Sequence, residues 1–175
     1  MDSSPVRTII LLGNRSVGKT CLFQRITHST EYPFSPDPTE FTTHSLFFHQ
    51  KTPYYLCDTP GVLSDELGTF ISKSSVVLIV YDTTLSDGLS MIPQWFRLAR
   101  KYGNSPVILL GTKYSDSESY QFPYYLSHLS HTYHIQHRKV NSITNQHIEE
   151  VLQLIHETKQ DTIPTMEEES LCRCS

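Results

Sequence analysis

Cysteine is scarce and carries no paired spacing: four residues, at 21, 57, 172 and 174, are scattered along the chain. That excludes a disulfide scaffold and leads us to expect reduced thiols in the cytosol. A basic excess is also missing. Lys and Arg number 14 against 18 Asp and Glu, a net charge of -4, which argues against nucleic acid as a main partner because phosphate backbones need a basic face. The longest apolar run, Val76 to Tyr81, falls far short of the roughly 20 residues that span a bilayer, so no transmembrane segment is expected. Met1-Asp2-Ser3-Ser4-Pro5 lacks the basic-then-apolar order of a secretory signal, and Asp2 excludes N-myristoylation, which requires glycine there. No internal repeat is visible.

What is present suits one globular domain. The 175 residues are 38% hydrophobic and 18% charged, enough for a single sizeable core. "VRTIILLG" (6–13), "SVVLIVYD" (75–82) and "SPVILLGT" (105–112) are short, nearly unbroken apolar runs, the pattern of strands covered on both faces of a parallel sheet. Helical spacing lies between and after them: Leu22, Phe23 and Ile26; Leu89, Ile92, Phe96 and Ala99; Ile148, Val151, Leu152 and Ile155. "THSLFFHQKTPYYLCD" (43–58) reads as a hairpin turning around Lys51-Thr52. The expectation is an α/β, doubly wound sheet with one antiparallel edge strand, whose ligands bind at the carboxyl ends of the strands. Gly13, Asp58 and Thr112-Lys113 fall at those ends.

The stretch "IILLGNRSVGKTCLFQRI" (9–26) carries the strongest chemistry. Gly13 and Gly18-Lys19-Thr20 have the G-x-x-x-x-G-K-[ST] spacing of a phosphate-binding loop between a strand and a helix. Glycines let the backbone turn sharply and aim N–H groups at phosphate oxygens. Lys19 would neutralise phosphate charge, and the Thr20 hydroxyl would ligate Mg²⁺. A chance match in a chain of this length arises roughly once in a hundred, and the flanking elements lower those odds. The loop residues Gly13, Asn14, Arg15, Ser16, Val17, Gly18, Lys19, Thr20 and Cys21 are therefore taken as nucleotide-binding. In "YLCDTPG" (55–61), Asp58 ends an apolar strand where a carboxylate reaches Mg²⁺ through water, and Gly61 offers a bare amide to a γ-phosphate.

With these motifs the chain resembles the Ras superfamily of small GTPases from about Val6 to Lys159. "SVVLIVYDTTLSDGLSMIPQWFRLARKY" (75–102) looks most like Rab proteins and the related septation-signalling GTPases. The resemblance implies a P-loop NTPase G domain over 1–159, with a six-stranded, mostly parallel sheet and flanking helices. It also implies GTP/GDP and Mg²⁺ as ligands, with effectors, exchange factors and GTPase-activating proteins as partners. "DPTEFTTHS" (37–45) would be the first switch, with Thr39 closing on Mg²⁺ and γ-phosphate; Thr42 and Thr43 are nearby alternatives, and a plain polar loop is the bland one. Guanine recognition departs from the family's [NT]-K-x-D. Thr112-Lys113-Tyr114-Ser115-Asp116 puts Ser115 in strict register, and Asp116 takes the place only if the loop bulges by one residue. Ser142 and Ile143 of "NSIT" would form the last base-binding loop.

Two residues bear on turnover. Arg15 stands where the family keeps a small side chain, and Val62 stands where a glutamine orients the attacking water. Slow family members already run at about 10⁻⁴ per second unaided, so intrinsic hydrolysis should be slower still. Beyond the domain, "QDTIPTMEEESLCRCS" (160–175) reads as a solvated tether. It ends in Cys172-Arg173-Cys174-Ser175, either a double-geranylgeranyl pair on Cys172 and Cys174 or a C-a-a-X box with one farnesyl on Cys172; a terminus that merely contains cysteine is the bland alternative. Glu167 to Glu169 repel an anionic surface, which favours two lipids over one. The expected role is a prenylated Rab-like switch on a cytoplasmic membrane surface in vesicle traffic; a septation-signalling GTPase and a GTP-binding scaffold are the alternatives. His128, His131, His134 and His137 recur every third residue, and most are expected to be solvated rather than zinc ligands.

Overall fold

A computed structural model describes residues 6–28, 40, 42–85, 87–115, 131 and 135–158. Six strands form one sheet: β1 (Arg7–Leu12), β2 (Thr43–His49), β3 (Thr52–Asp58), β4 (Val76–Asp82), β5 (Val107–Thr112) and β6 (Gln136–Lys139), in the order β2-β3-β1-β4-β5-β6. Among the described strands only β2 runs antiparallel to its neighbour, and it lies at the edge. Among the described residues four α-helices accompany the sheet: α1 (Lys19–His28), α2 (Gly68–Lys73), α3 (Ile92–Tyr102) and α4 (Ile148–Glu157). This is the doubly wound arrangement expected from the three apolar runs.

Alternation along the central strands splits the core in two. Ile9 and Leu11 of β1, with Val76, Leu78 and Val80 of β4 and Ile108 and Leu110 of β5, face α1 and α4. Ile10 and Leu12, with Val77, Ile79 and Tyr81 and with Val107 and Leu109, face α2 and α3. Each run reads as continuously apolar because both faces are covered. α1 buries Leu22, Phe23 and Ile26 as its spacing predicts. α3 starts at Ile92, so Leu89 packs from the turn before it, and Trp95 and Leu98 join the expected face. On α4, Leu154 is buried whereas Leu152 is only partly so.

One local reading is corrected. The hairpin turns at Gln50-Lys51, both at positive φ (48° and 66°), and Thr52 already belongs to β3. Positive φ at both central positions is the twist that matches a two-residue hairpin; neither residue is the glycine or asparagine that usually advertises it. The expectation for the four histidines is met at one described position and partly at the other. His131 is exposed, but His137 is half-buried, stacked on the Tyr81 ring at 5.9 Å and within 2.6 Å of its hydroxyl. The two rings pass over β5 at Gly111, where an added Cβ would lie 2.6 Å from Thr83 Cγ2 and 2.8 Å from Tyr81 Oη. His128 and His134 lie outside the described residues.

Candidate functional site

The carboxyl ends of β1, β3, β4 and β5 open onto one region, and the loop after β1 fills its centre. Gly13 has φ +143°, and a Cβ there would stand 2.2 Å from the Val80 carbonyl oxygen. No other residue allows both the angle and that approach. Gly18, at φ +99°, brings the loop to the start of α1, whose first helical hydrogen bond runs from Leu22 N to Gly18 O at 2.9 Å. The N-terminal turn of this helix, whose first N–H groups have no carbonyl within the helix to bond, thus borders the loop. Lys19 is buried, and its Nζ donates to the carbonyls of Gly13 and Asn14, each at 2.8 Å. Burial lowers the Lys19 pKa to about 8, against an opposing pull from the Asp58 charge. A cation held over the loop by two carbonyls is poised to exchange them for anionic oxygens.

Beside the loop, Thr20 Oγ1 donates to Asp58 Oδ2 at 2.8 Å. Asp58 is 1% exposed at the end of β3. Both residues line a cavity of about 320 Å³ with Phe23, Gln24, His28, Glu40 and Thr43. A hydroxyl and a carboxylate are hard oxygen donors that fit a small divalent cation such as Mg²⁺. The hydroxyl donates toward Asp58, so the two donors already face each other across the place a metal would take. The next residue, Thr59, donates from Oγ1 to the Leu11 carbonyl at 2.6 Å. Gly61 then rests on the phosphate loop itself: a Cβ there would lie 2.2 Å from Arg15 N and 2.6 Å from the Asn14 carbonyl carbon. The bare backbone is required for that contact.

Arg15 and Val62 share a second cavity of about 350 Å³, walled by Glu40, Thr42, Pro60, Ser64, Glu66, Leu67 and Phe70. Arg15 is exposed there and Val62 is 46% exposed. Val62 offers no polar atom to the space.

On the other side of the loop, Thr112 places its hydroxyl within hydrogen-bond reach of the carbonyls of Val17 and Tyr81, linking β5 to the phosphate loop. Lys113 has φ 58° and pairs through Nζ with Asp82 Oδ2 at 2.5 Å. Burial pushes the Asp82 carboxyl up, but the bonds from Lys113 and Thr84 outweigh it and hold the group below the usual carboxylate range. Asn141 Nδ2 donates to the Tyr114 carbonyl at 2.9 Å, and its Oδ1 accepts from the amides of Ile143 (3.0 Å) and Thr144 (3.2 Å). From α1, Arg25 donates to the carbonyls of Ser142 (2.5 Å) and Ile143 (2.8 Å). Ser142 is buried while Ile143 is exposed.

The structure therefore gathers Asp58, Gly61, Thr112 and Lys113 around the stretch Gly13 to Cys21, and Arg25 of α1 ties Ser142 and Ile143 to the helix that follows it. Cys21 is half-buried there; burial pushes its thiol up, with the Lys113 charge opposing. Thr39, Asp116, Cys172 and Cys174 lie outside the described residues, as does the tail 160–175. Three contributors escaped the sequence reading. Asp82 ends an apolar run just as Asp58 does, a signal that was available. Arg25 and Trp95, whose Nε1 donates to Asn14 Oδ1 at 2.7 Å, reach across 117 and 81 positions and leave no local mark.

Comparison with known proteins agrees with this geometry. A sequence profile described as the Ras family matches residues 8–161. Ras-related protein Rab-30 of Homo sapiens is 24% identical over 169 residues, covering 89% of this chain and 83% of that protein. Ras-related protein Rab-19 of Homo sapiens is 31% identical over 112 residues, 60% of this chain and 52% of that protein. Ras-related protein Rab-12 of Mus musculus is 26% identical over 112 residues, 60% and 46% respectively.

Proposed function

The chain belongs to the Ras family, and from that premise we propose that it is a Rab-like switch: GTP or GDP in the phosphate loop sets the arrangement of the segments around Thr39 and Gly61, and that arrangement selects effectors. The observation that carries this reading is the convergence of Lys19, Thr20, Asp58 and Gly61 on one loop. Lys19 would leave the carbonyls of Gly13 and Asn14 for the phosphates. Thr20 directly, Thr39 directly and Asp58 through a water would hold Mg²⁺, which when bound neutralises phosphate charge. Thr112 and Lys113 would wall the base from one side, Ser142 and the Ile143 amide from the other. Asp116, or Ser115 in strict register, would meet the guanine edge.

Hydrolysis without help is slow in this reading. Arg15 and Val62 share the cavity next to Gly61, where the attacking water would stand. Val62 cannot hydrogen-bond that water, and the Arg15 side chain crowds it. A partner supplying both an arginine and a water-orienting side chain would restore turnover. The cellular role we assign is vesicle traffic on the cytoplasmic face of a membrane. It rests on the Rab relatives and on prenyl groups at Cys172 and Cys174, or one at Cys172. No helix among the described residues is long and apolar enough to cross a membrane. Arg15, Val62 and Ser115 together favour one second reading, a GTP-binding scaffold that never turns over.

The test is to denature freshly purified protein and identify the released nucleotide by ion-pair chromatography. GDP is the expected result for a cycling switch. GTP at near one per chain would mean a switch held on until a partner acts. No guanine nucleotide, even after excess GTP and Mg²⁺, would sink both readings of the site.

A further inference from the structure

We propose that Trp95 is a positioning residue for nucleotide binding: from the buried face of α3 its indole N–H fixes the Asn14 side chain and, through it, the phosphate loop. The inference rests on the nucleotide-binding reading above. Trp95 is the single tryptophan of the chain and is 1% exposed. Its Nε1 lies 2.7 Å from Asn14 Oδ1. An indole N–H is a donor only, so it also decides which way the Asn14 amide is turned. A phenylalanine would fill most of the same volume; what the indole adds is this one bond, and a buried N–H left without an acceptor costs more than the bond itself contributes.

Asn14 is thereby gripped on two sides, its side chain by Trp95 and its carbonyl by Lys19 Nζ at 2.8 Å. It is also where the segment after Asp58 touches down, since a Cβ on Gly61 would meet the Asn14 carbonyl carbon at 2.6 Å and Arg15 N at 2.2 Å. A shift of Asn14 moves both the Lys19 perch and the surface under Gly61. The far end of α3 holds the same segment further on. Lys101 Nζ lies 3.0 and 2.9 Å from the two Asp65 oxygens, and the Tyr102 ring sits 2.6 Å from where a Gly68 Cβ would be. One helix thus spans from the phosphate loop to the residues that follow Gly61.

The experiment measures release of tritiated GDP from the full chain, comparing Trp95→Phe, Asn14→Ala and the double variant, with thermal melts to confirm folding. Each single substitution is expected to speed release about fivefold to tenfold, the loss of one net hydrogen bond. The double variant should be no faster than the faster single, because both remove one bond. The single indole N–H cross-peak in a ¹⁵N spectrum supplies a readout that packing alone would not move. It should shift on adding GDP to the wild type and be displaced already in GDP-free Asn14→Ala. Release unchanged in either folded single variant, or effects that multiply in the double, would overturn the positioning role and leave Trp95 as core packing. If Trp95→Phe fails to fold, Asn14→Ala with the indole peak decides alone. Wild-type protein that retains no GDP would remove the nucleotide reading, and this inference with it.

Discussion

Two cations in one loop behave in opposite ways. Arg15 is exposed and faces a cavity, whereas Lys19 is buried with its ammonium on two carbonyls. For Lys19, burial disfavours the charged form and lowers the pKa to about 8. Nearby phosphates favour the charged form and would raise it again. In the free protein part of the Lys19 population is then neutral above pH 8, while in the complex it is charged, so binding takes up a proton. Affinity for GDP should hold below pH 8 and weaken as pH rises above it, by at most about tenfold per pH unit. Calorimetric titrations at pH 8.5 in two buffers of different ionisation enthalpy measure that proton directly. Identical heats in both buffers would rule it out.

The strands differ in how openly they declare themselves, and the reason is burial. β1, β4 and β5 are covered on both faces and spell out continuous apolar runs. β6 is a polar edge strand, Gln136-His137-Arg138-Lys139, with two exposed and two half-buried residues, and its pattern is correspondingly weak. α2 spans only six residues, too few for a helical period to stand out. What no spacing could show is the bridge from β4 to β6, in which Tyr81 and His137 meet over Gly111. The site divided in the same way: residues inside local motifs were legible, while Arg25 and Trp95 act across the fold. The bridge also has a pH signature. Burial lowers the His137 pKa to about 4, with the charges of Lys139 and Arg138 adding to the effect. The unfolded chain takes up this proton near pH 6.5 and the folded chain only near 4, so stability is lost as pH falls through that window. The upper bound is about 3 kcal/mol. His137→Phe keeps a ring on Tyr81 and removes the titration. Its melting temperature should therefore fall less steeply than that of the wild type between pH 6.5 and 4.5, and parallel curves would refute the assignment.

Taken across the molecule, the phosphate loop is the knot that ties the sheet's carboxyl edge together. Gly13 abuts Val80 of β4, the Val17 carbonyl meets Thr112 of β5, Thr20 holds Asp58 of β3, and Trp95 brings in α3. A ligand seated there braces elements from both faces of the core, so its binding energy should appear in the unfolding of the whole domain. At GDP a thousandfold above its dissociation constant, with Mg²⁺ present, linkage contributes about 4 kcal/mol. For a domain of this size that raises the melting temperature by on the order of 10 °C. Chelating Mg²⁺ should remove part of the gain, because Thr20 and Asp58 then return to each other. Lys19→Ala should remove nearly all of it while leaving a cooperative transition, since both apolar clusters stay intact. Equal gains from GDP and ADP would say that the loop binds phosphates without reading guanine, and would point to Ser115 rather than Asp116 at the base. A gain from GDP alone would support a carboxylate at that edge and the bulged register that puts Asp116 there.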